Sequence, residues 1–226
     1  MDTHIVVMTG AGISADSGVR TFRDAGGLWE GHRPEDVATP EAWARDPEVV
    51  WRFYQERRRQ LHEVEPNAAH RAVAELQRRK KVTLITQNVD DLHERAGSEA
   101  IHMHGELAVL RCERCGSRVR DLDRCEPAFL PCGDCGHARL RPDIVWFGEV
   151  PFHLDAIEAA LLDCTHFVAI GTSGNVYPAA GMLQIARSRG AQTVVQALEL
   201  PSNADLSDEF VPGRAAEVVP DLLRRY

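Results

Sequence analysis

Two Cys-x-x-Cys pairs, Cys112 with Cys115 and Cys132 with Cys135, stand 16 residues apart and constrain this chain more than any other feature. Knuckles at this spacing close into a tetrahedral thiolate site for zinc. Four thiolates leave no position for water, so the metal is expected to hold a lobe together and to take no part in chemistry. Cys125 lies between the pairs and could substitute as a ligand, whereas Cys164 reads as a small buried hydrophobe. The first apolar run begins at His4 and leads straight into glycines, leaving no room for a secretory leader. A cytoplasmic location with reduced thiols follows as the expectation, and metal binding is preferred to a disulfide framework.

Around the cysteines, short apolar runs alternate with helical patterns. The runs are Ile5 to Met8, Val82 to Ile85, Ile144 to Phe147, Phe167 to Ile170 and Thr193 to Leu198. Amphipathic segments near Pro66 to Arg79, Leu154 to Leu162, Pro178 to Arg189 and Pro220 to Arg225 should form helices, the last two opening on proline. This rhythm predicts an α/β fold: a Rossmann-like, mostly parallel sheet with helices on both faces. Two stretches break it, one rich in Trp, Arg and Pro and the other in Cys, Gly, Arg and Asp. The expected organisation is a main domain of 1–30, 66–108 and 142–226, with a smaller helical and zinc-ribbon lobe of 31–65 and 109–141.

Net charge is −8 and Lys80 and Lys81 are the only lysines, so no lysine-rich surface for nucleic acid is expected. No apolar stretch approaches the roughly 20 residues of a membrane span. Arg57, Arg58 and Arg59 form a basic cluster, read as a solvated helix face. Oligomeric state is not legible.

Gly10-Ala11-Gly12-Ile13-Ser14-Ala15 follows the first strand and fits G-x-G-x-x-G/A, where small residues let backbone amides approach a pyrophosphate. A dehydrogenase would reach its second strand, with an acidic residue for the ribose, within roughly 30 residues. Nothing strand-like appears before Val82, so the stretch from Thr21 reads instead as a loop covering a cofactor. His102 and His104 alternate along an extended segment, as do Asn88 and Asp90, so each pair can share a face. Asn88 and Asp90 could equally cap the next helix. Tyr54 and Arg57 are spaced i, i+3 on a helix, where their tips can meet.

These motifs carry a resemblance. The stretch from Gly10 through Ser17, Gly18 and Thr21 to Phe22 and Arg23 resembles the opening signature of the sirtuins, and Thr86-Gln87-Asn88-Val89-Asp90-Asp91-Leu92-His93 their second. His104-Gly105, the cysteine pairs, Val145-Trp146-Phe147-Gly148-Glu149 and Gly171-Thr172-Ser173 follow in the family's order, so the likeness spans almost the whole chain.

The resemblance implies an NAD-consuming protein-lysine deacylase with one structural zinc. NAD would be cleaved, not reduced: the acyl oxygen attacks C1′ of the nicotinamide ribose, nicotinamide leaves and an alkylamidate forms. It selects His104 as the base for a ribose hydroxyl, a task suited to a pKa near neutrality, and leaves His102 as a hydrogen-bonded strand residue. It assigns Asn88 to a water or ribose, Asp90 to the nicotinamide carboxamide and Gln87 to ribose hydroxyls. Phe22, Arg23 and Trp29 would close over the cofactor, and Val89, Gly171, Thr172 and Ser173 would line it. On the adenine side stand Ala197, Leu198, Glu199 and Ala215; the family's asparagine is replaced by Ala197, with Gln196 a possible substitute.

Val145 to Glu149 would pair with an acyl-lysine peptide as an added strand, flanked by Val176, and one of Trp146 and Phe147 should be core because neighbours face opposite ways. Tyr54 and Arg57 match the tyrosine and arginine of class III sirtuins, which implies a pocket for succinyl and malonyl groups, with Ala38 leaving it wide. Mono-ADP-ribosyl transfer and a non-catalytic NAD or ADP-ribose binding module remain the alternatives.

Overall fold

A computed structural model describes residues 3–19 and 31–226. Thr21, Phe22, Arg23 and Trp29 lie outside the described residues. In chain order the elements are β1 (His4–Thr9), α1 (Ala11–Ala15), α2 (Pro34–Val37), α3 (Pro40–Arg45), α4 (Pro47–Leu61), α5 (Ala68–Arg79), β2 (Lys81–Thr86), α6 (Leu92–Arg95) and β3 (Ala100–His102). There follow β4 (Gly105–Arg111), β5 (Arg118–Arg120), β6 (Arg141–Ile144), α7 (Leu154–Asp163), β7 (His166–Ile170), α8 (Ala179–Ser188), β8 (Gln192–Ala197), β9 (Glu209–Pro212) and α9 (Ala215–Leu223).

Six strands form a parallel sheet in the order β3-β2-β1-β7-β8-β9. Every residue of β1 is buried, as a central parallel strand covered on both faces requires. Its pleat sends Val6 and Met8 to one face, against Leu161, Met182 and Leu183 of α7 and α8. Ile5 and Val7 go to the other, against Val73, Leu76 and Leu222 of α5 and α9. The chain leaves β1 toward β2 and later returns on its other side as β7, so the crevice at the carboxyl ends of β1 and β7 is the topological switch point, where such sheets bind ligands.

A second, antiparallel sheet, β5-β4-β6, packs with α2, α3 and α4 around Trp43, Trp51, Tyr54 and Trp146, together with Cys112 and Cys132. The run expected as a strand over Ile144 to Phe147 is displaced: only Ile144 is in a strand, and β6 belongs to the small sheet. β3 and β9 escape the sequence reading because they are short and carry no strong apolar run.

Helix ends differ for identifiable reasons. α5 starts after Asn67, whose side chain accepts the Ala69 N–H while His70 Nδ1 accepts the Asn67 N–H. α9 begins at Ala215, five residues before Pro220, and the proline lies inside it. Its true start is marked by Asp16, whose carboxylate accepts the Ala216 N–H and pairs with Arg214. A cap from the far end of the chain leaves no local signal. The basic cluster is likewise not a solvated face: Arg57 and Arg58 are buried and only Arg59 is exposed.

Candidate functional site

The first turn after β1 is tighter than the motif requires. The Gly10 N–H donates to Ile170 O and the Gly12 N–H to Gly171 O, so these two amides are tied to the end of β7. A Cβ on Gly12 would stand 2.7 Å from the Gly171 Cα, which is why only glycine fits where the two turns cross. Ala11, Ala15 and Gly18 are exposed, whereas Ile13 points into the core. Ser17 Oγ accepts from Asn67 Nδ2.

Ser14 is the hub of a buried polar network that also holds Asn88 and Asp90. Its hydroxyl donates to Asp90 Oδ2 at 2.9 Å and accepts from Asn88 Nδ2 at 3.1 Å. Because His70 Nδ1 is an acceptor, its Nε2 carries the proton and donates to Ser14 Oγ at 3.4 Å. Burial lowers the His70 pKa to about 4, so the ring is neutral. Below it, His93 Nε2 donates to Thr9 Oγ1, Thr9 donates to Thr86 Oγ1, and Thr86 also accepts the Asn88 N–H. Asp90 Oδ1 accepts the Leu92 N–H, so the carboxylate supports α6 while its other oxygen faces Ser14. Burial raises the Asp90 pKa against these hydrogen bonds. The sequence reading missed His70, His93, Thr9 and the Asn67 cap. The Asn67-x-x-His70 capping spacing could have flagged two of them, and His93 closes the second sirtuin-like stretch without a role attached to it.

His104 stands in the turn between β3 and β4, held by backbone bonds on three sides. Met103 N–H donates to Thr86 O, Val145 N–H to His104 O and Phe152 N–H to Met103 O. Its Nδ1–H donates to Gln87 O at 3.1 Å, so the neutral ring presents Nε2 as its proton acceptor. Burial lowers its pKa below the ordinary histidine value, opposed by the Gln87 bond. Gly105 follows for a steric reason: its φ is +81° and a Cβ there would lie 1.9 Å from Asp143 O. Gln87 Nε2 in turn donates to Thr172 Oγ1 at 3.3 Å, joining the ends of β2 and β7.

His102 is the hydrogen-bonded strand residue expected of it, and more. Nδ1 meets Asn88 O at 3.1 Å and Nε2 meets Glu94 Oε1 at 3.0 Å, so both nitrogens donate and the ring is a buried imidazolium. Burial pulls its pKa down, but the Glu94 hydrogen bond and charge, with Glu106 and the Asn88 carbonyl, raise it overall. A raised folded pKa gives stability that is full below the unfolded value near 6.5 and lost as pH rises through the folded value. Urea unfolding of wild type and His102→Gln at pH 6 and pH 9 should therefore show the larger difference at pH 6. An equal difference at both would rule out a charged ring.

On the lobe side, Phe147 N–H donates to Ala38 O and Val145 N–H to His104 O, so the strip 145–149 is tied to the end of α2 and to the β3–β4 turn. Trp146 is 2% exposed and Phe147 51%, the alternation expected. Gly148 and Val176 are on the surface. The Glu149 side chain is engaged by Arg141 in a two-pronged ion pair, so it supports the strip and does not face outward. Tyr54 is fully buried, and its hydroxyl accepts the Trp146 indole N–H at 3.0 Å. Arg57, one turn on, lines an open cleft of ≈ 460 Å³ with His32, Arg52 and Gln60.

The adenine-side residues divide. Leu198 and Glu199 are exposed beyond β8, but Ala197 and Ala215 are buried, the latter in the core against α5. Gln196 does not offer its amide nitrogen to a ligand, because Nε2 donates to Gly213 O at 2.7 Å. Ser173 is half-buried at the β7 end.

The sulfur atoms of Cys112, Cys115, Cys132 and Cys135 lie within 4.8 Å of one another, with Cys112–Cys135 and Cys115–Cys132 both at 3.6 Å. Tetrahedral zinc with Zn–S of about 2.3 Å puts sulfurs roughly 3.8 Å apart, so the residues fit the ion, and the separations are too long for disulfides. Cys125 is not in the cluster; its thiol donates to Leu122 O. Cys164 is buried, as expected.

A parallel sheet with its ligand crevice at the switch point, a neutral histidine at the crevice edge and a four-thiolate lobe define a dinucleotide-binding α/β protein with a structural zinc site. The sequence profile described as the Sir2 family matches residues 10–178. An NAD-dependent protein deacylase of Shewanella oneidensis is 54% identical over 231 residues, covering 99% of this chain and 94% of its own. A solved Sir2 homolog–NAD complex is 40% identical with a TM-score of 0.89, covering 99% of this chain and 89% of its own. Sir2Af2, solved with a myristoylated histone peptide, is 33% identical with a TM-score of 0.77, covering 99% and 90%. The chain belongs to the Sir2 family.

Among the described residues no helix is long and apolar enough to cross a membrane.

Proposed function

We propose that this chain is an NAD-dependent protein-lysine deacylase of the cytoplasm, releasing nicotinamide, 2′-O-acyl-ADP-ribose and free lysine, and that Tyr54 and Arg57 equip it for acyl groups ending in a carboxylate, such as succinyl and malonyl. The observation that carries the activity is His104, a neutral ring whose Nδ1–H is spent on Gln87 O and whose Nε2 is left to take a proton. Bound NAD supplies a ribose carbon whose bond to nicotinamide breaks under attack by the acyl oxygen. His104 then removes a ribose hydroxyl proton, with Gln87 locking its tautomer. Ser14, hydrogen-bonded to His70, holds the Asp90 carboxylate and the Asn88 amide in one buried network. An extended acyl-lysine peptide would lie along the strip 145–149, where Phe147 is half exposed and its own N–H is already bonded to Ala38 O. The relatives' names and the homolog solved with NAD support this reading.

Acyl preference rests on charge. A guanidinium beside a phenol gives a carboxylate two charge-assisted partners that an acetyl methyl cannot use. A hydrogen bond to a charged group contributes about 1.5–3 kcal/mol, so Arg57→Met should lower kcat/KM for a succinyl-lysine peptide about 10- to 100-fold, and far more than for the matched acetyl peptide. Equal losses on both would dispose of the carboxylate reading. Labelled NAD that marks protein, with no acyl-ADP-ribose formed, would favour ADP-ribosyl transfer.

A further inference from the structure

His102 and His104 grip successive carbonyls of one loop. His104 Nδ1 meets Gln87 O at 3.1 Å, and His102 Nδ1 meets Asn88 O at 3.1 Å. The loop, which joins β2 to α6, is pinned at its other groups as well: the Gln87 N–H donates to Thr9 O, the Asn88 N–H to Thr86 Oγ1, and Asn88 Nδ2 to Gly10 O and Ser14 Oγ. The bond from His102 differs from the rest because its donor ring has to be charged. Its two nitrogens face two acceptors, the Asn88 carbonyl and Glu94 Oε1 at 3.0 Å, and a neutral imidazole has a single N–H. Loss of the ring proton would set a nitrogen lone pair against one of those oxygens. The remaining N–H would stay with the carboxylate, since a hydrogen bond to a charged acceptor is roughly twice as strong as one to a neutral carbonyl. The Asn88 carbonyl is therefore the contact that fails.

His102 is buried, and the charged groups around it come from three parts of the fold. Glu94 of α6 holds Nε2, and Glu106 of β4 adds a second negative charge. The ring's own charge supports the Asp90 carboxylate of the loop against burial and helps to keep His93 of α6 neutral. Among the described residues Glu94 Oε2 has no hydrogen-bond partner, so the hydrogen bonding of that carboxylate rests on His102.

We propose that His102 is a positioning residue for deacylation: as an imidazolium bridging Glu94 and the Asn88 carbonyl, it holds the Gln87–Asn88 loop against which His104 is oriented, and its deprotonation sets the alkaline limit of activity. The inference rests on the deacylase reading above and adds a second titrating group to it. Of the two histidines on this loop, one works neutral and the other works charged.

The test follows kcat and KM for an acyl-lysine peptide from pH 6 to pH 10 in wild type, His102→Gln and Glu94→Gln, with zinc content and Tm as checks of folding, and follows the His102 ring of the wild type and of Glu94→Gln by heteronuclear NMR. Wild-type kcat should fall on the alkaline side as the ring loses its proton, while KM for the peptide holds. His102→Gln, which cannot carry the charge, should show no such fall, and its kcat at pH 7 should be lower by up to about 100-fold, the scale of a misplacement near 1 Å. Glu94→Gln keeps an acceptor for Nε2 without its charge, so the alkaline fall and the titration of the ring should move together to lower pH. That variant decides the matter should His102→Gln fail to fold. An alkaline limb that stays in place in Glu94→Gln, or a ring already neutral at pH 7 in the wild type, would overturn the inference and leave the deacylase reading standing. A wild type that yields no deacylated peptide at any pH would overturn both.

Discussion

His104→Ala is expected to reduce formation of deacylated peptide about 10²- to 10⁴-fold, the range that a positioned general base contributes, while zinc content and the thermal unfolding midpoint stay close to wild type. The ring makes one side-chain hydrogen bond, to Gln87 O, whereas its backbone is held by contacts that alanine keeps. The pH profile of the wild type carries the same signature. A base must be unprotonated, and burial holds the His104 pKa below its ordinary value near 6.5. The acid limb of kcat/KM should therefore fall away below that value as pH drops through the folded pKa, and activity should be level through neutrality. The readout is product peptide by mass spectrometry across pH 5 to 9. Activity within tenfold of wild type in His104→Ala would remove the imidazole from the chemistry.

Removing the metal is expected to have a larger structural effect. Cys112 and Cys132 are buried beside Leu110, Leu140, Trp51 and Trp146, so the thiolates belong to the small sheet's own core. Structural zinc contributes an apparent binding energy of about 10–16 kcal/mol at neutral pH, which matches or exceeds the roughly 5–15 kcal/mol that holds a whole domain folded. Chelation under reducing conditions, or Cys112→Ser, should thus melt the α2–α4 helices and the β4–β6 sheet and abolish deacylation. Tryptophan is the natural reporter, because Trp43, Trp51 and Trp146 all lie in that cluster. Their near-UV circular dichroism should collapse and their emission shift to the red, while much of the far-UV signal from the parallel sheet and its helices persists. A zinc-free chain with intact near-UV signal and intact turnover would show that the thiolates are dispensable.

Much of the architecture was legible before any coordinates. The alternation of apolar runs and amphipathic segments located β1, β2, β7, β8 and their helices, because burial on both faces of a parallel strand demands an unbroken apolar run. The cysteine pairs announced a metal site because short loops place their sulfurs together whatever the rest of the chain does. Other features were mislaid for physical reasons. The start of α9 was hidden because Asp16 caps it from the other end of the chain. The basic cluster on α4 resembles solvated surface in the sequence because the groups that bury it, including the strand and turn around Asp121, are about 60 positions away. By position Gln196 could serve as a sugar ligand, yet its amide nitrogen is occupied by Gly213 O, a contact that no spacing rule anticipates.

What the sequence alone determined is the set of features that depend on neighbours along the chain: strand and helix type, the knuckle spacing, and the His104–Gly105 pair. The tertiary structure alone decided why those residues can work. Gly105 is required because β6 lies against it, the Nε2 of His104 becomes the acceptor because Gln87 O takes the other nitrogen, and the Tyr54 hydroxyl accepts from an indole 92 residues away. Covalent connectivity sets spacing, but the polarity of a buried hydrogen-bonding group is set by whichever partner packing brings against it once water is excluded.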